Sequence, residues 1–330
     1  MRSSRMTLAL ETGAVVLPET RQIAVYRPRL GDDLSDLPKD RVLVVQGFKP
    51  DHDGFAAQGY RVAVAEAGTC AAAIVCLPRA KAEARALLAA AAASVVPGGL
   101  VIVDGQKTDG IEAVHKDLRA RFTTSEALSK AHGKLFTFPA GPGLEDWAAV
   151  PMTVEGGFQT LPGVFSADGP DRGSMLLAAA LPAKLAARVV DLGAGWGYLS
   201  RAILARDGVQ ELHLVEAEAQ ALDCARVNIT DDRARFHWAD ATTFKPARSV
   251  DTVVCNPPFH TTRDADPALG MGFVQAAARM LQPGGVLWLV ANRHLPYDRI
   301  LAAAFRDVDD VGGDAAFRVI RAARPEKPRR

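Results

Sequence analysis

The sequence predicts an α/β chain of two tandem domains, each a doubly wound, mostly parallel sheet, with the first a degenerate copy of the second. Three observations predict it. Short runs rich in valine, leucine and isoleucine alternate with helical patterns, the order that builds a parallel sheet covered on both faces. That order occurs twice. The chain has 330 residues, 48% apolar and 23% charged, enough for two domains of ordinary globular composition.

In the N-terminal half the strand-like runs are RVLVV (41–45), RVAVAE (61–66) and AAIVCL (72–77). An alanine-rich helix over 80–94 follows, then PGGLVIVDGQK (97–107). The C-terminal half offers RVVDL (188–192), LHLVE (212–216), RFHWAD (235–240), DTVVC (251–255) and GVLWLVA (285–291). Helical patterns run from Tyr198 to Arg206, Glu218 to Val227 and Gly272 to Leu281. Met271, Phe273, Val274 and Met280 mark the core face of the last. PGGLVIVDGQK matches PGGVLWLVANR (283–293) at the equivalent place, which favours an internal duplication over two unrelated α/β domains. Proline and glycine cluster between Pro139 and Gly169. This sets the domains at 1–145 and 161–330, with 146–160 as linker. With RVLVV as the first strand, QGFKP stands where the second copy has LGAGWG, and LPR where it has NPPF. The scaffold is kept and the chemistry lost, so the first domain is expected to bind no cofactor.

The formal charge is +1. No global positive field marks a general nucleic-acid binder, so a polyanion would have to be met by a local patch. Cys70, Cys76, Cys224 and Cys255 are scattered, with no CxxC pair. They read as buried thiols of a reducing cytoplasm, with no metal site. Met6 to Leu10, interrupted by Glu11, is too short for a signal peptide. The longest apolar run, Ala86 to Val96, is too short to span a bilayer. A cytoplasmic protein with no membrane partner is expected.

In VVDLGAGWGYLS, Gly193, Gly195 and Gly197 follow a strand and open a helix, where glycine permits a tight turn and close backbone approach to a ligand. The dinucleotide pattern G-x-G-x-x-G fails at Tyr198, and no Walker lysine follows. Glu216 closes the next strand near the spacing at which an acid reaches a ribose diol. Asp240 closes the one after, where an acid meets an adenine amine. Together they describe a nucleoside pocket. Taken singly, Glu216 also fits a solvated strand end, and Asp191, just before the loop, fits either a ligand contact or a cap on the loop.

VVCNPPFH (253–260) drives a buried strand into Asn256-Pro257-Pro258-Phe259. The prolines offer no N–H to the ladder and end the strand. This sits at the carboxyl edge of the sheet, where open α/β folds bind ligands. The Asn256 side-chain oxygen and the Pro257 carbonyl offer two rigidly spaced acceptors, and Phe259 a flat face. That set suits a planar group bearing an NH₂. Hydrogen bonds to both amine protons localise the nitrogen lone pair, a stabilisation aimed at the transition state. A rigid turn with a core phenylalanine is the plainer reading of the same residues.

At these residues the chain resembles the class I S-adenosylmethionine-dependent methyltransferases, which have a Rossmann-like fold. DLGAGWG is similar to their cofactor loop and NPPF to the motif of enzymes that methylate planar amino groups. LPGVFSADGPDRGSMLLAAAL (161–181), CNPPFH (255–260), VANRHLPYDRIL (290–301) and FRVIRAAR (317–324) resemble the bacterial ribosomal RNA guanine-N2-methyltransferases, the small-subunit branch above all. The likeness covers most of 160–324 and the first half only loosely. It implies a degenerate methyltransferase-like domain ahead of the active one. It also implies S-adenosyl-L-methionine as cofactor and ribosomal RNA or the small ribosomal subunit as partner. Carried over, Asp191, Gly193, Gly195 and Gly197 would hold the methionine end and adenosine, Glu216 the ribose and Asp240 the adenine. Asn256 and Pro257 would hold the guanine amine, with Phe259 against the base. Phe165, Ser166 and Arg172 would lie near the site, and His260 would touch base or phosphate or pack locally. Pro170 and Trp196 depart from the usual family residues. The resemblance also implies seven strands, one antiparallel at the edge, with 308–324 as the last hairpin. His294 and Tyr297 read as structural, and Arg318, Arg321 and Arg324 as a basic end, solvated or RNA-facing. An adenine amine, a protein glutamine, large-subunit RNA, or a silent RNA-binding assembly factor are the competing readings.

Overall fold

The computed structural model describes residues 3–65, 67–258 and 267–326. The chain divides into two compact units, Met1–Val150 and Pro151–Arg330. Phe259 and His260 lie outside the described residues.

The first unit opens with helix α1 (Ser3–Glu11) and strands β1 (Ile23–Tyr26) and β2 (Val42–Val45). Helix α2 (Lys49–Ala57), strands β3 (Arg61–Ala63) and β4 (Cys70–Cys76), helix α3 (Lys81–Ser94) and strand β5 (Val95–Gln106) follow. Helix α4 (Ile111–Arg119) and strands β6 (Leu128–Lys130) and β7 (Gly133–Pro139) complete it. The sheet order is β3-β2-β1-β4-β5-β7-β6. Every residue of β4 is buried, as expected of a central parallel strand covered on both faces. Alanine carries α3 across one face, because it loses no side-chain entropy on becoming helical.

The second unit begins with a hairpin, β8 (Met152–Val154) and β9 (Phe158–Thr160), so the segment expected as linker carries regular structure. Helix α5 (Arg172–Ala180), strand β10 (Arg188–Leu192), helix α6 (Tyr198–Leu204), strand β11 (Glu211–Glu216) and helix α7 (Ala219–Asn228) follow. Then come strands β12 (Ala234–Trp238) and β13 (Val250–Cys255), helix α8 (Pro267–Met280) and strand β14 (Leu281–Asn292). Helix α9 (Asp298–Ala304) and strands β15 (Phe305–Gly313) and β16 (Phe317–Pro325) close the unit. The order is β12-β11-β10-β13-β14-β16-β15. Strand β16 runs antiparallel to β14, and it lies one place in from the edge, with β15 outside it. Phe273, Val274 and Met280 of α8 are buried on one face of the sheet, and Met271 packs against them. Tyr297 is buried and His294 exposed.

The two strand orders are the same, position for position, as a duplication requires. They also correct the alignment of the halves. The sequence order predicts 41–45 as the first strand, but β1 is Ile23–Tyr26, and Val42–Val45 is the counterpart of β11. The first unit's equivalent of the glycine loop therefore follows Tyr26, beginning RPRLGDD, and QGFKP corresponds to the segment after Glu216. A four-residue strand wedged between Gln22 and Arg27-Pro28 carries too little periodicity to be read.

Candidate active site

Three neighbouring strands end level with one another. Leu192 pairs with Val215 on one side and with Cys255 on the other, so Gly193, Glu216 and Asn256 leave the sheet side by side. Glu216 pairs in turn with Trp238, bringing Asp240 to the same edge. Adjacent strands lie about 4.8 Å apart, so the register alone gathers residues up to 63 positions apart in sequence.

The glycine loop folds back over β11. Gly193 and Ala194 both donate their N–H to the Val215 carbonyl, at 2.9 and 3.0 Å. Gly193, Gly195 and Gly197 have φ of +80°, +54° and +94°, the left-handed region that costs other residues strain. Glu216 fastens the turn: one carboxylate oxygen accepts Gly195 N–H at 2.8 Å and the other Glu218 N–H at 2.8 Å. Burial raises the Glu216 pKa against the pull of these bonds. Asp240 accepts both the N–H and the hydroxyl of Thr242, each at 2.7 Å, closing a tight turn past β12.

Asp191 is fully buried beneath the loop. Ser200 donates its hydroxyl to one carboxylate oxygen at 2.6 Å, and the other has no partner among the described residues. Burial first, and the neighbouring Glu216 charge to a lesser degree, push its pKa up to about 7. The four cysteines are free and buried. Burial raises Cys224 to about 11 and Cys255 well above the usual thiol range, so both stay as unreactive thiols at neutral pH.

Asn256 is the other end of the site. Its amide nitrogen donates to Asp171 Oδ2 at 2.9 Å and to Ser174 Oγ at 2.8 Å. Its Oδ1 is buried, with no partner among the described residues. Pro257 behind it is buried. A cleft between the loop and Asn256 is lined by Gly193, Gly195 and Trp196 on one side and by Asp171, Ser174 and Asn256 on the other. Phe165 and Ser166 close over it. Phe165 is 62% exposed, an aromatic face left in solvent at the mouth. Trp196 turns its ring into a cluster with Phe158, Val164, Ala221 and Cys224, and its indole N–H ties the Phe165 carbonyl down at 2.9 Å. Arg172 does not line the cleft; it is exposed and pairs with Asp314 at 2.7 Å. Sequence reasoning misses Asp171 and Ser174 as site residues. Asp-x-x-Ser before an apolar run signals a helix N-terminus, but no local pattern connects it to a motif 85 residues on.

A larger groove, about 1100 Å³, lies at the amino ends of β13 and β14, lined by Phe244, Met280 and Ile300 among others. It holds none of the strand-end acids, glycines or Asn256; of these, Gly193, Gly195 and Asn256 line the smaller cleft, and Glu216 and Asp240 line neither. Among the described residues, the arginines of the closing strands are paired: Arg318 with Asp298, Arg321 with Asp309, Arg324 with Asp307 and Arg306 with Glu326. No group of three metal-ligating side chains occurs among the described residues.

The model of the family described as Methyltransferase small domain matches residues 155–321, and that of its N-terminal companion, Methyltransferase small domain N-terminal, matches 44–146. The chain belongs to the methyltransferase small domain family. Among members, the chain is 32% identical to the ribosomal RNA small subunit methyltransferase C of Shewanella loihica, over 73% of this chain and 74% of that one. It is 38% identical to the ribosomal RNA large subunit methyltransferase G of Streptomyces avermitilis, over 49% of this chain and 44% of that one. The 16S rRNA N2 G1207 methyltransferase of T. thermophilus, solved in complex with AdoMet and guanosine, superposes with a TM-score of 0.80 at 26% identity. That match covers 94% of this chain and 90% of the other. A methyltransferase small domain uses S-adenosylmethionine, and the residues here fit it: a left-handed glycine loop, acids at the next two strand ends, and two buried oxygens with lone pairs to spare.

Proposed function

We propose that the chain transfers a methyl group from S-adenosyl-L-methionine to the exocyclic N2 amine of a guanine in small-subunit (16S) ribosomal RNA. The observation that carries this reading is Asn256 Oδ1, a buried acceptor without a partner among the described residues, beside the glycine loop. A buried acceptor left unmet costs about 1–3 kcal/mol, and an amine donor offsets that cost. Asp191 and the glycine loop would hold the methionine end and the adenosine, Glu216 the ribose, and Asp240 the adenine. Glu216 would do so while its oxygens keep the loop folded, since each carboxylate oxygen has lone pairs beyond the one it uses.

S-adenosylmethionine, when bound, supplies an electrophilic methyl group. The protein's part is to aim and activate the amine. Asn256 Oδ1 accepts one amine proton and the Pro257 carbonyl the other, which draws the nitrogen lone pair out of conjugation with the ring. Phe165 and Phe259 supply flat faces for the base. The base has to leave its stack, because the N2 amine of a paired guanine lies in the minor groove, against its neighbours. Such a substrate sets the reaction in the cytoplasm.

The large-subunit relative matches 49% of this chain and 44% of its own length, whereas the small-subunit relative matches 73% and 74% and the 16S enzyme 94% and 90%. This favours small-subunit RNA and keeps the large-subunit RNA as the second reading. Mapping N2-methylguanine in both ribosomal RNAs from a deletion strain tests it. Loss of one 16S methylguanine, restored by the purified chain and S-adenosylmethionine, is the expected result. Loss of a 23S methylguanine instead selects the second reading, and retention of every methylguanine overturns both.

A further inference from the structure

The Asn256 amide presents a choice that packing does not make. Its oxygen and nitrogen ends are nearly the same size, so the side chain fits its site either way round. With the oxygen toward the cleft it accepts an amine proton; with the nitrogen toward the cleft, donor would face donor. Something other than shape must fix the orientation.

We infer that Asp171 is the positioning residue that turns the Asn256 oxygen toward the cleft, an inference that rests on the amine-methylation reading above. Asp171 caps α5, its Oδ2 accepting the Ser174 N–H at 2.9 Å. The same Oδ2 accepts the Asn256 amide at 2.9 Å. Because that oxygen is already committed as an acceptor to a backbone donor, a reversed amide would set oxygen against oxygen. Ser174 Oγ, at 2.8 Å, takes the second amide proton, but a hydroxyl can donate as readily as accept and so does not discriminate. Both protons of Asn256 are thereby used inside the protein, and its acceptor is what remains for the cleft. A helix N-cap and an amine-recognising amide share one oxygen atom.

The cap and the orienting contact can be separated. Asp171→Ser keeps a good N-cap, but its shorter side chain withdraws from Asn256. Asp171→Asn keeps both, with its oxygen at the same point. Turnover, KM for 16S ribosomal RNA, S-adenosylmethionine affinity by calorimetry and thermal midpoint are measured on the whole chain. For Asp171→Ser, kcat should fall on the order of 100-fold, the scale of one lost preorganised contact, with cofactor affinity and thermal midpoint close to wild type. Asp171→Asn should recover most of that loss. An Asp171→Ser enzyme as fast as wild type overturns the inference, and so does an Asp171→Asn enzyme as slow as Asp171→Ser. Should Asp171→Ser fail to fold, Asp171→Thr takes its place. Side-chain amide exchange of Asn256, followed by ¹⁵N NMR, needs no turnover. Slow exchange in wild type and Asp171→Asn but fast in Asp171→Ser supports the inference, and equal exchange in all three overturns it. A wild-type chain that methylates no ribosomal RNA would sink the substrate reading while leaving the NMR result to decide the orientation.

Discussion

The two units carry the same strand order, and the contrast lies in what their carboxyl edges do with polar groups. In the first unit they are consumed. Gln46, buried after β2, accepts from Arg27 and Phe48 and donates to the Pro28 carbonyl. Asp104, near the end of β5, is paired with Arg5, itself fully buried, at 2.6 Å. Leu77 follows β4 where the second unit has Asn256 after β13, and it too is buried. In the second unit, Asp191 Oδ1 and Asn256 Oδ1 stay without partners among the described residues. Desolvating such atoms is costly and stabilises nothing by itself. At this edge one copy of the scaffold pairs its buried polar side chains within the fold, and the other leaves two acceptor oxygens unmet among the described residues, the two that the proposed function assigns to cofactor and substrate.

The sharpest way to break this contrast is to open an unpaired group in the first unit. Arg5→Leu leaves Asp104 buried without its cation and should cost about 3–5 kcal/mol, read as a lower denaturation midpoint of that unit. The mirror experiment removes a reserved acceptor: Asn256→Ala should slow turnover by roughly a hundred- to a thousandfold while leaving S-adenosylmethionine binding near normal. Equal loss of both would make Asn256 a folding residue. The smallest effect concerns Asp191. Its folded pKa, about 7, lies above its ordinary 3.8, so between those values the folded state keeps a proton that the unfolded chain has released. Stability from this group is complete below about pH 4 and drains away as pH rises toward 7. Between pH 5 and 8 the loss should reach about 3 kcal/mol, and thermal melts of Asp191→Asn should lack that slope.

Much of this is legible in the sequence. RVVDL is β10 residue for residue, and the glycine loop and NPPF stand at adjacent strand ends. Both are local signals, written in contiguous residues. What stayed hidden depends on distance or on brevity. Arg5 and Asp104 are 99 residues apart, and a buried arginine in a nine-residue helix looks like any surface arginine until the helix is docked. Strand β1 is four residues long, pressed between Gln22 and Arg27-Pro28, and with it unread the alignment of the halves shifts by one strand. Asp171 announces a helix cap in sequence; that its oxygen also grips Asn256 follows only from the packing of α5 beside β14 and the register of β13.

The closing hairpin has a consequence for how a polyanion is gathered in. Arg318, Arg321 and Arg324 each already face an aspartate, so a phosphate arriving there must first part an arginine from its carboxylate. Exchanging one anion for another liberates few small ions into the solvent, and it is that liberation which makes nucleic-acid affinity fall with ionic strength. The steepness of that fall will be set by basic side chains on other surfaces, and this edge will pass almost unseen in it.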